Sequence, residues 1–174
     1  MGGGPSQMTS RLVRAILILP GTVLILVPAL IIWLTRGTAV GAELPRMDDP
    51  LAWAGALLFG LGLVFAIWTC RLFVTVGEGT PAPWDPPQKL VVRGPYRHVR
   101  NPMITSVLLM LAGEAAFLRS WALAGWLLFF FTANAIYFPL SEERALERRF
   151  GDPYRRYKAN VPRWIPRPRP WRQP

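Results

Sequence analysis

Two adjacent carboxylates, Glu142 and Glu143, directly follow a long apolar run and are the most suggestive residues for chemistry in the sequence. At helical spacing Glu142 shares one face with Phe138 and with Asn134, which lies two turns earlier inside the run. Ionisable groups at membrane depth are costly to bury, so they mark candidate ligand sites. The pattern therefore makes Glu142, aligned with Asn134, a site candidate.

A purely structural role explains the same two carboxylates. Pro139 predicts a kink in the helix, and Ser141 is placed to cap a new short helix behind it. Glu142 and Glu143 would then lie in the first turn, where negative charge complements the helix dipole. The helix alone favours this structural interpretation, so a functional role needs support from elsewhere in the chain.

Other chemically reactive residue types are scarce. Cys70 is the only cysteine and His98 the only histidine, which excludes an intramolecular disulfide framework and predicts no metal centre. The glycines Gly60 and Gly62 lie inside an apolar run and do not follow a strand, so they are not a nucleotide-binding fingerprint. Small residues at four-residue spacing in that run predict a face for close helix packing: Ala52, Ala56 and Gly60.

Long apolar runs predict the elements that must position these residues. The chain has 174 residues, of which 52% are hydrophobic and only 17% charged, against about 25% charged residues in a typical soluble domain. Four runs predict membrane helices, at residues 15–34, 51–70, 103–118 and 121–140. Only Arg119 and Ser120 separate the last two, which predicts a helix hairpin. We expect an all-α integral membrane protein with about four transmembrane helices and irregular cytoplasmic segments.

The basic residues predict the orientation of these helices. Ten of the 20 Lys and Arg residues follow residue 140, and most others lie before the first run or between the second and third. The opposite side has only Arg36, Arg46 and Arg119. Because Lys and Arg collect on the cytoplasmic side, we expect both termini in the cytoplasm and the protein in the cell (inner) membrane. No nucleic-acid-binding module accompanies the net charge of +10, so we expect no nucleic-acid partner.

Two separated motifs resemble one family of membrane enzymes. Residues 92–103 read VRGPYRHVRNPM, which is similar to the GPYRxVRHPxY signature of isoprenylcysteine carboxyl methyltransferases and their phospholipid methyltransferase relatives. Residues 142–166 contain EERAL, FGDPYRRY and VPRWIP, which resemble the same family's EExxL…FGxxYxxYxxxVPRxIP ending. The likeness covers roughly residues 88–166, and we expect residues 81–174 to form the catalytic region. Residues 1–80 resemble the family only in forming two membrane helices.

The resemblance implies an enzyme that uses S-adenosylmethionine at the cytoplasmic membrane face, without a Rossmann domain. It implies catalytic roles for Asn101 and Glu142, and it leaves the oligomeric state open. Carried over position by position, the cofactor-binding residues are Gln88, Lys89, Leu90, Val91, Tyr96, Asn101, Pro102, Met103, Ile104 and Glu142.

Three positions depart from the family pattern. Asn101 stands where the motif has His, and Ile104 where it has Tyr. Phe138 replaces an Arg that in isoprenylcysteine enzymes lies one turn before the cofactor Glu and suits a substrate carboxylate. An amide keeps a donor and an acceptor, so a cofactor contact at Asn101 survives this change better than a proton-transfer role.

The position of Phe138 predicts the kind of methyl acceptor. We expect Phe138 and Asn134 to contact a membrane-partitioning, lipid-like acceptor whose nucleophile is an amine, thiol or hydroxyl. Arg97 or Arg100 in the loop would be the replacement cation if the acceptor were a carboxylate. Two other functions stay open on sequence grounds: a sterol-reductase-like membrane enzyme, and a non-catalytic membrane protein whose basic tail binds lipid or a partner.

Overall fold

The structure is a computed structural model that describes residue 14 and residues 18–46, 48–80 and 86–172. All regular secondary structure in these residues is helical, as the sequence predicts. A short 3₁₀ turn, Gly94–Arg97, precedes the third of the five main helices. These are α1 (Ile18–Leu34), α2 (Pro50–Thr75), α3 (Pro102–Phe117), α4 (Trp121–Phe150) and α5 (Asp152–Asn160).

Two of the helices, α2 and α4, are long and apolar enough to cross a membrane. They have 26 and 30 residues, and only 11% and 6% of their most apolar windows are buried in the protein. A core helix of a soluble protein would be mostly buried, so the exposure of these side chains indicates lipid-facing surfaces. Helices α1 and α3 are apolar but shorter, and the expected count of four spans stays a prediction.

Helix α3 lies at the centre of the apolar part. Its buried Val107, Met110 and Leu111 contact side chains of α1, α2 and α4. Close packing of α2 on α3 depends on two glycines: a Cβ on Gly55 would lie 2.7 Å from the Gly113 carbonyl oxygen, and the reverse contact is equally short. Only residues without a side chain allow backbones to approach this closely.

The small-residue stripe predicted on α2 is wrong in its second half. Ala52 is buried, but Ala56 is exposed and a Cβ on Gly60 would meet open space. The buried face of α2 instead passes through Gly55 and Gly62, seven residues apart. Residues seven positions apart lie on nearly the same face after two turns of an α-helix. Residues repeated every four positions rotate steadily away from that face.

The new helix start predicted at Ser141 is also wrong. Helix α4 continues past Pro139, and Phe138–Glu142 forms a π-helical turn within it. Proline lacks the N–H for the usual bond and crowds the preceding turn, and one wider turn accommodates this without ending the helix. Ser141 is therefore an exposed residue inside the helix and not a cap.

The C-terminal segment folds back onto the loop before α3. The buried Tyr154, Tyr157 and Val161 pack with Leu90 and Val92 of that loop and with side chains of α4. Main-chain bonds join the same regions, from Arg100 N to the Pro162 carbonyl, from Arg167 N to that of His98 and from Trp171 N to that of Arg97. His98 Nδ1 lies 2.7 Å from the Arg167 carbonyl oxygen, so the single histidine serves the fold.

Candidate active site

The 3₁₀ turn holds Tyr96 against the end of α2. The ring of Tyr96 is 6% exposed and packs edge-on against Phe73, with ring centroids 5.6 Å apart. Its main-chain carbonyl accepts a hydrogen bond of 2.8 Å from the Tyr157 hydroxyl. Burial raises the pKa of the Tyr96 hydroxyl well above its usual value, so this group is a protonated donor. It has no hydrogen-bond partner among the described residues.

Asn101 has a second unpartnered donor. It precedes α3, where its main-chain carbonyl accepts bonds from Thr105, but its side chain does not cap the helix. The Nδ2 atom of Asn101 is buried without a partner in the described part of the chain. Buried polar groups are nearly always hydrogen-bonded in native proteins, so an orphaned donor asks for an explanation such as a ligand.

The unpartnered atoms are clustered in the sequence. Among the described residues, four side chains carry a buried nitrogen or oxygen without a hydrogen-bond partner: Tyr96, Arg100, Asn101 and Glu114. Three of them lie within residues 96–101, the segment that carries the first motif. The Arg100 Nη1 atom does lie 2.9 Å from a carboxylate oxygen of Glu143, so its charge is compensated although its hydrogen-bond alignment is poor.

The two adjacent carboxylates of α4 have different surroundings. Glu143 is 3% exposed, and its oxygens lie 2.9 Å from Arg100, 2.7 Å from Arg163 and 3.3 Å from Lys158. Glu142 is half-buried and makes no ion pair or side-chain hydrogen bond with any residue that the structure describes. Glu143 therefore joins three segments of the fold, whereas the Glu142 carboxylate is available to a ligand.

The other sequence-predicted cofactor residues fix the loop in place. The main-chain N–H groups of Gln88 and Lys89 donate to the Gly77 carbonyl at the end of α2, and the Lys89 ammonium pairs with Glu78. Leu90 packs with Tyr154, Tyr157 and Val161, and Val91 is buried. Pro102 is fully buried, while Met103 and Ile104 are half-buried in the first turn of α3.

The predicted acceptor residues are only partly available. Phe138 is half-buried and meets Trp164 edge-on at 6.2 Å. Asn134 donates to the Phe130 carbonyl of its own helix, which leaves its side-chain oxygen unused. Arg97 donates through Nε to the Trp171 carbonyl, 2.8 Å away, and Arg100 is paired with Glu143. The two loop arginines are thus already engaged in joining the loop to α4 and the C-terminal segment.

A comparison with protein-family models identifies the family of the chain. The model described as phospholipid methyltransferase matches residues 51–153, more than half of the chain. No curated protein and no solved structure matches the chain significantly. The chain belongs to the phospholipid methyltransferase family.

Membership in the phospholipid methyltransferase family makes the protein a methyltransferase, and with the two long apolar helices it indicates a membrane protein. The matched range contains α2, α3, α4 and the candidate residues Tyr96, Asn101 and Glu142. It ends before the C-terminal residues that complete the Glu143 ion pairs, so the match bears on the site and not on this surrounding segment.

Sequence reasoning missed the residues that assemble the site. Arg163 and Lys158 pair with Glu143, and Trp164 covers Phe138. The VPRWIP motif contained a signal for two of these residues, because an arginine and a tryptophan stand together in it. The motif does not reveal their partners, Glu143 and Phe138, which lie about 20 to 26 residues earlier on α4.

Proposed function

We propose that the protein transfers a methyl group from S-adenosylmethionine to a lipid-like acceptor at the cytoplasmic face of the membrane. The observation that carries the proposal is the set of unpartnered groups within the family-matched range. Among the described residues, Tyr96 and Asn101 have buried donors without partners, and the Glu142 carboxylate has no ion pair or hydrogen bond. Donors and a carboxylate are what a ligand with a carboxylate, an amino group and hydroxyls requires.

In this proposal each polar side chain binds one kind of group on the cofactor. S-adenosylmethionine supplies an electrophilic methyl group on a sulfonium centre. Glu142 accepts hydrogen bonds from the amino group or the ribose hydroxyls, and Tyr96 and Asn101 donate to oxygen atoms. Displacement at a methyl carbon needs donor and acceptor in line, so the main contribution of the side chains is alignment.

The remaining loop residues act as a frame for these groups. The loop is fixed to α2 by the bonds that Gln88 and Lys89 donate to Gly77, and Leu90 and Val91 pack inward. Met103 and Ile104, with Pro102, form the apolar start of α3 beside Asn101. Rigid apolar surroundings exclude water and hold the binding groups in one geometry.

The acceptor is proposed to be a membrane lipid or similar molecule with an amine, thiol or hydroxyl nucleophile. Phe138 offers no charge, Arg100 is paired with Glu143, and Arg97 is held at the C-terminal segment by the bond from its Nε to the Trp171 carbonyl. A carboxylate acceptor beside Phe138 would therefore lack a cation at that position of α4 to pair with, and a poorly paired buried charge is costly. Asn134 keeps one amide oxygen that can accept a hydrogen bond from an amine or hydroxyl.

Transfer of label from S-adenosylmethionine tests the proposed acceptor. Protein purified in detergent is incubated with methyl-labelled S-adenosylmethionine, a lipid extract and a prenylcysteine analogue, with Glu142→Gln as the control of reduced cofactor affinity. We expect label in the lipid fraction and none as a base-labile ester on the analogue. Efficient labelling of the analogue, with no label in any other lipid, would contradict the argument from Phe138.

We further propose four membrane spans with both termini in the cytoplasm. The concentration of Lys and Arg around residues 89–100 and after residue 143 supports this orientation. A Cys placed at Asp48, in a Cys70→Ala background, should react with an impermeant reagent added to intact cells, whereas a Cys at Gln88 should not. The reverse pattern would overturn both the orientation and the cytoplasmic site.

A further inference from the structure

An open cavity of about 370 Å³ lies beside the 3₁₀ turn and is lined by three arginines. Arg93 and Arg97 come from the loop before α3, and Arg172 comes from the C-terminal segment. Val92 and Gly94 form the rest of the lining, which contains no carboxylate from the described part of the chain. Three positive charges around one concave surface attract an anion.

The cationic groups of this arginine cavity are largely unused by the protein. Arg93 and Arg172 make no ion pair or side-chain hydrogen bond with any residue in the described ranges. Arg97 uses only Nε, which donates to the Trp171 carbonyl. By contrast, Arg100 and Arg163 are paired with Glu143. The arginine cavity therefore keeps several guanidinium donors that suit the geometry of a phosphate.

The fold builds this cavity from residues far apart in sequence. The Trp171 N–H donates to the Arg97 carbonyl, 2.9 Å away, and Arg97 Nε donates back to the Trp171 carbonyl. The Trp171 ring also packs on Tyr157, with centroids 5.9 Å apart. These contacts hold Arg172 beside the loop that carries Arg93, so the three arginines form a defined group.

The arginine cavity lies at the end of a membrane-length helix. Gly94 has a φ of +54°, and a Cβ there would lie 3.0 Å from the Trp68 ring and 3.1 Å from Leu72, both on α2. Trp68 is 48% exposed, as expected of a tryptophan at a membrane–water interface. An anion bound here would lie at the depth of lipid headgroups.

The arginine cavity is separate from the proposed cofactor groups. A 3₁₀ helix has three residues per turn, so Gly94 and Arg97 share one face of the turn. Tyr96 is not part of the cavity lining, and its ring is buried against Phe73. The tyrosine proposed to bind the cofactor is therefore outside the arginine cavity.

We infer that Arg93, Arg97 and Arg172 bind the phosphate of an anionic phospholipid headgroup. The guanidinium groups donate hydrogen bonds to the phosphate oxygens, and the acyl chains extend along the exposed apolar face of α2. The bound lipid joins the loop before α3 to the C-terminal segment. This inference depends on α2 crossing the membrane and not on the proposed methyl transfer.

Native mass spectrometry of the full chain in an uncharged detergent tests the inference. The protein is titrated with phosphatidylglycerol, with phosphatidylcholine or with inorganic phosphate. We expect one phosphatidylglycerol to bind about tenfold more tightly than phosphatidylcholine, since several arginines act on one anionic headgroup. The Arg93→Gln/Arg172→Gln double variant should lose that preference, and Arg172→Gln alone should lose part of it.

A matched double variant separates a built site from general basic charge. Arg156→Gln/Arg169→Gln removes the same charge from two exposed residues outside the cavity and should keep the preference. Equal loss in both double variants, or full retention in the cavity variant, overturns the inference. Displacement of phosphatidylglycerol by millimolar inorganic phosphate would show that free phosphate, and not a lipid, is the ligand. Arg93 and Arg172 have no partners in the described structure, so the Arg93→Gln/Arg172→Gln variant should melt at the wild-type temperature. The control double variant should do the same.

Discussion

The two ends of helices α2, α3 and α4 both contain ion pairs, but they use them differently. At one end Asp49 caps α2, accepting from Leu51 N, and pairs with Arg119 between α3 and α4. Ser120 there accepts from Leu123 N and donates to the Val40 carbonyl. Asp49, Arg119 and Ser120 thus hold the connections of this junction together, and the nearby Glu114 has one buried carboxylate oxygen without a partner among the described residues.

The other end has more cations and also unsatisfied groups. Glu143 joins Arg100, Arg163 and Lys158, and beside this cluster in sequence stand the unpartnered donors of Tyr96 and Asn101. Ion pairs hold the helix connections together at one end. At the other end they fix the segments that carry the proposed ligand-binding groups. An ion pair by itself therefore does not mark a site: the candidate end has the unpartnered donors of Tyr96 and Asn101, whereas the other end has one unpartnered acceptor, an oxygen of Glu114.

The largest effect is expected from breaking the Glu143 cluster. Glu143→Gln leaves Arg100, whose side chain is 10% exposed, without its countercharge, and breaking a buried ion pair costs about 3–5 kcal/mol. The free energy of unfolding in mixed micelles measures the loss. Glu147→Gln is the control, because its pair with Lys158 is one-third exposed and such pairs contribute about 0–1 kcal/mol. Equal losses in the two variants would mean that Glu143 has no special structural role.

A smaller effect on stability is expected from removing the hydroxyls of Tyr157 and Tyr96, of which the first bonds within the protein and the second is proposed to bind the cofactor. Tyr157→Phe removes the bond to the Tyr96 carbonyl and should lower the free energy of unfolding by about 0.5–1.5 kcal/mol. Tyr96→Phe removes a hydroxyl that has no partner in the described structure. It should leave the free energy of unfolding unchanged while weakening S-adenosylmethionine binding. Thermal unfolding of both variants with and without the cofactor is the measurement. A clear loss of cofactor-free stability in Tyr96→Phe would mean that its hydroxyl is bonded within the protein.

The smallest effect concerns the opposite end and depends on pH. The hydrogen bond from Arg119 holds the pKa of the Asp49 carboxyl below its usual value. The pair therefore stabilises the fold fully above the ordinary Asp pKa of about 4, and this contribution disappears as the pH falls through the lower native pKa. The difference in melting temperature between wild type and Asp49→Asn should shrink from pH 6 to pH 3. A difference that is constant over this range would mean that the Asp49–Arg119 pair makes no ionic contribution to stability. Asp48→Asn, which breaks an exposed pair, is the control.

The helices were largely predictable because their apolar runs are long and lack charges. The ends were not. Helix α2 continues past Cys70 through Arg71 to Thr75, since a charged residue at the end of a span does not stop a helix. Pro139 and Ser141 predicted a kink with a new helix start, but a π-helical turn carries the helix past both residues, a local adjustment that residue types alone do not specify.

The site was predictable as a segment and not as a set of contacts. The motif identified Tyr96, Asn101 and Glu142, and the family match covers all three. The helix face singled out Glu142 over Glu143, which lies about 100° away, but the ion pairs that engage Glu143 could not be predicted. These ion pairs involve Arg163 and Lys158, which the fold brings from beyond α4.

Binding of S-adenosylmethionine to the purified full chain, measured by isothermal titration calorimetry, tests the central claim most directly. We expect saturable binding by the wild type and about 10- to 100-fold weaker binding by Glu142→Gln, the loss typical of a hydrogen bond to a charged group. Glu142→Gln should unfold at the wild-type temperature, and Glu147→Gln should bind like the wild type. No saturable binding by the folded wild type, or undiminished binding by Glu142→Gln, would contradict the account.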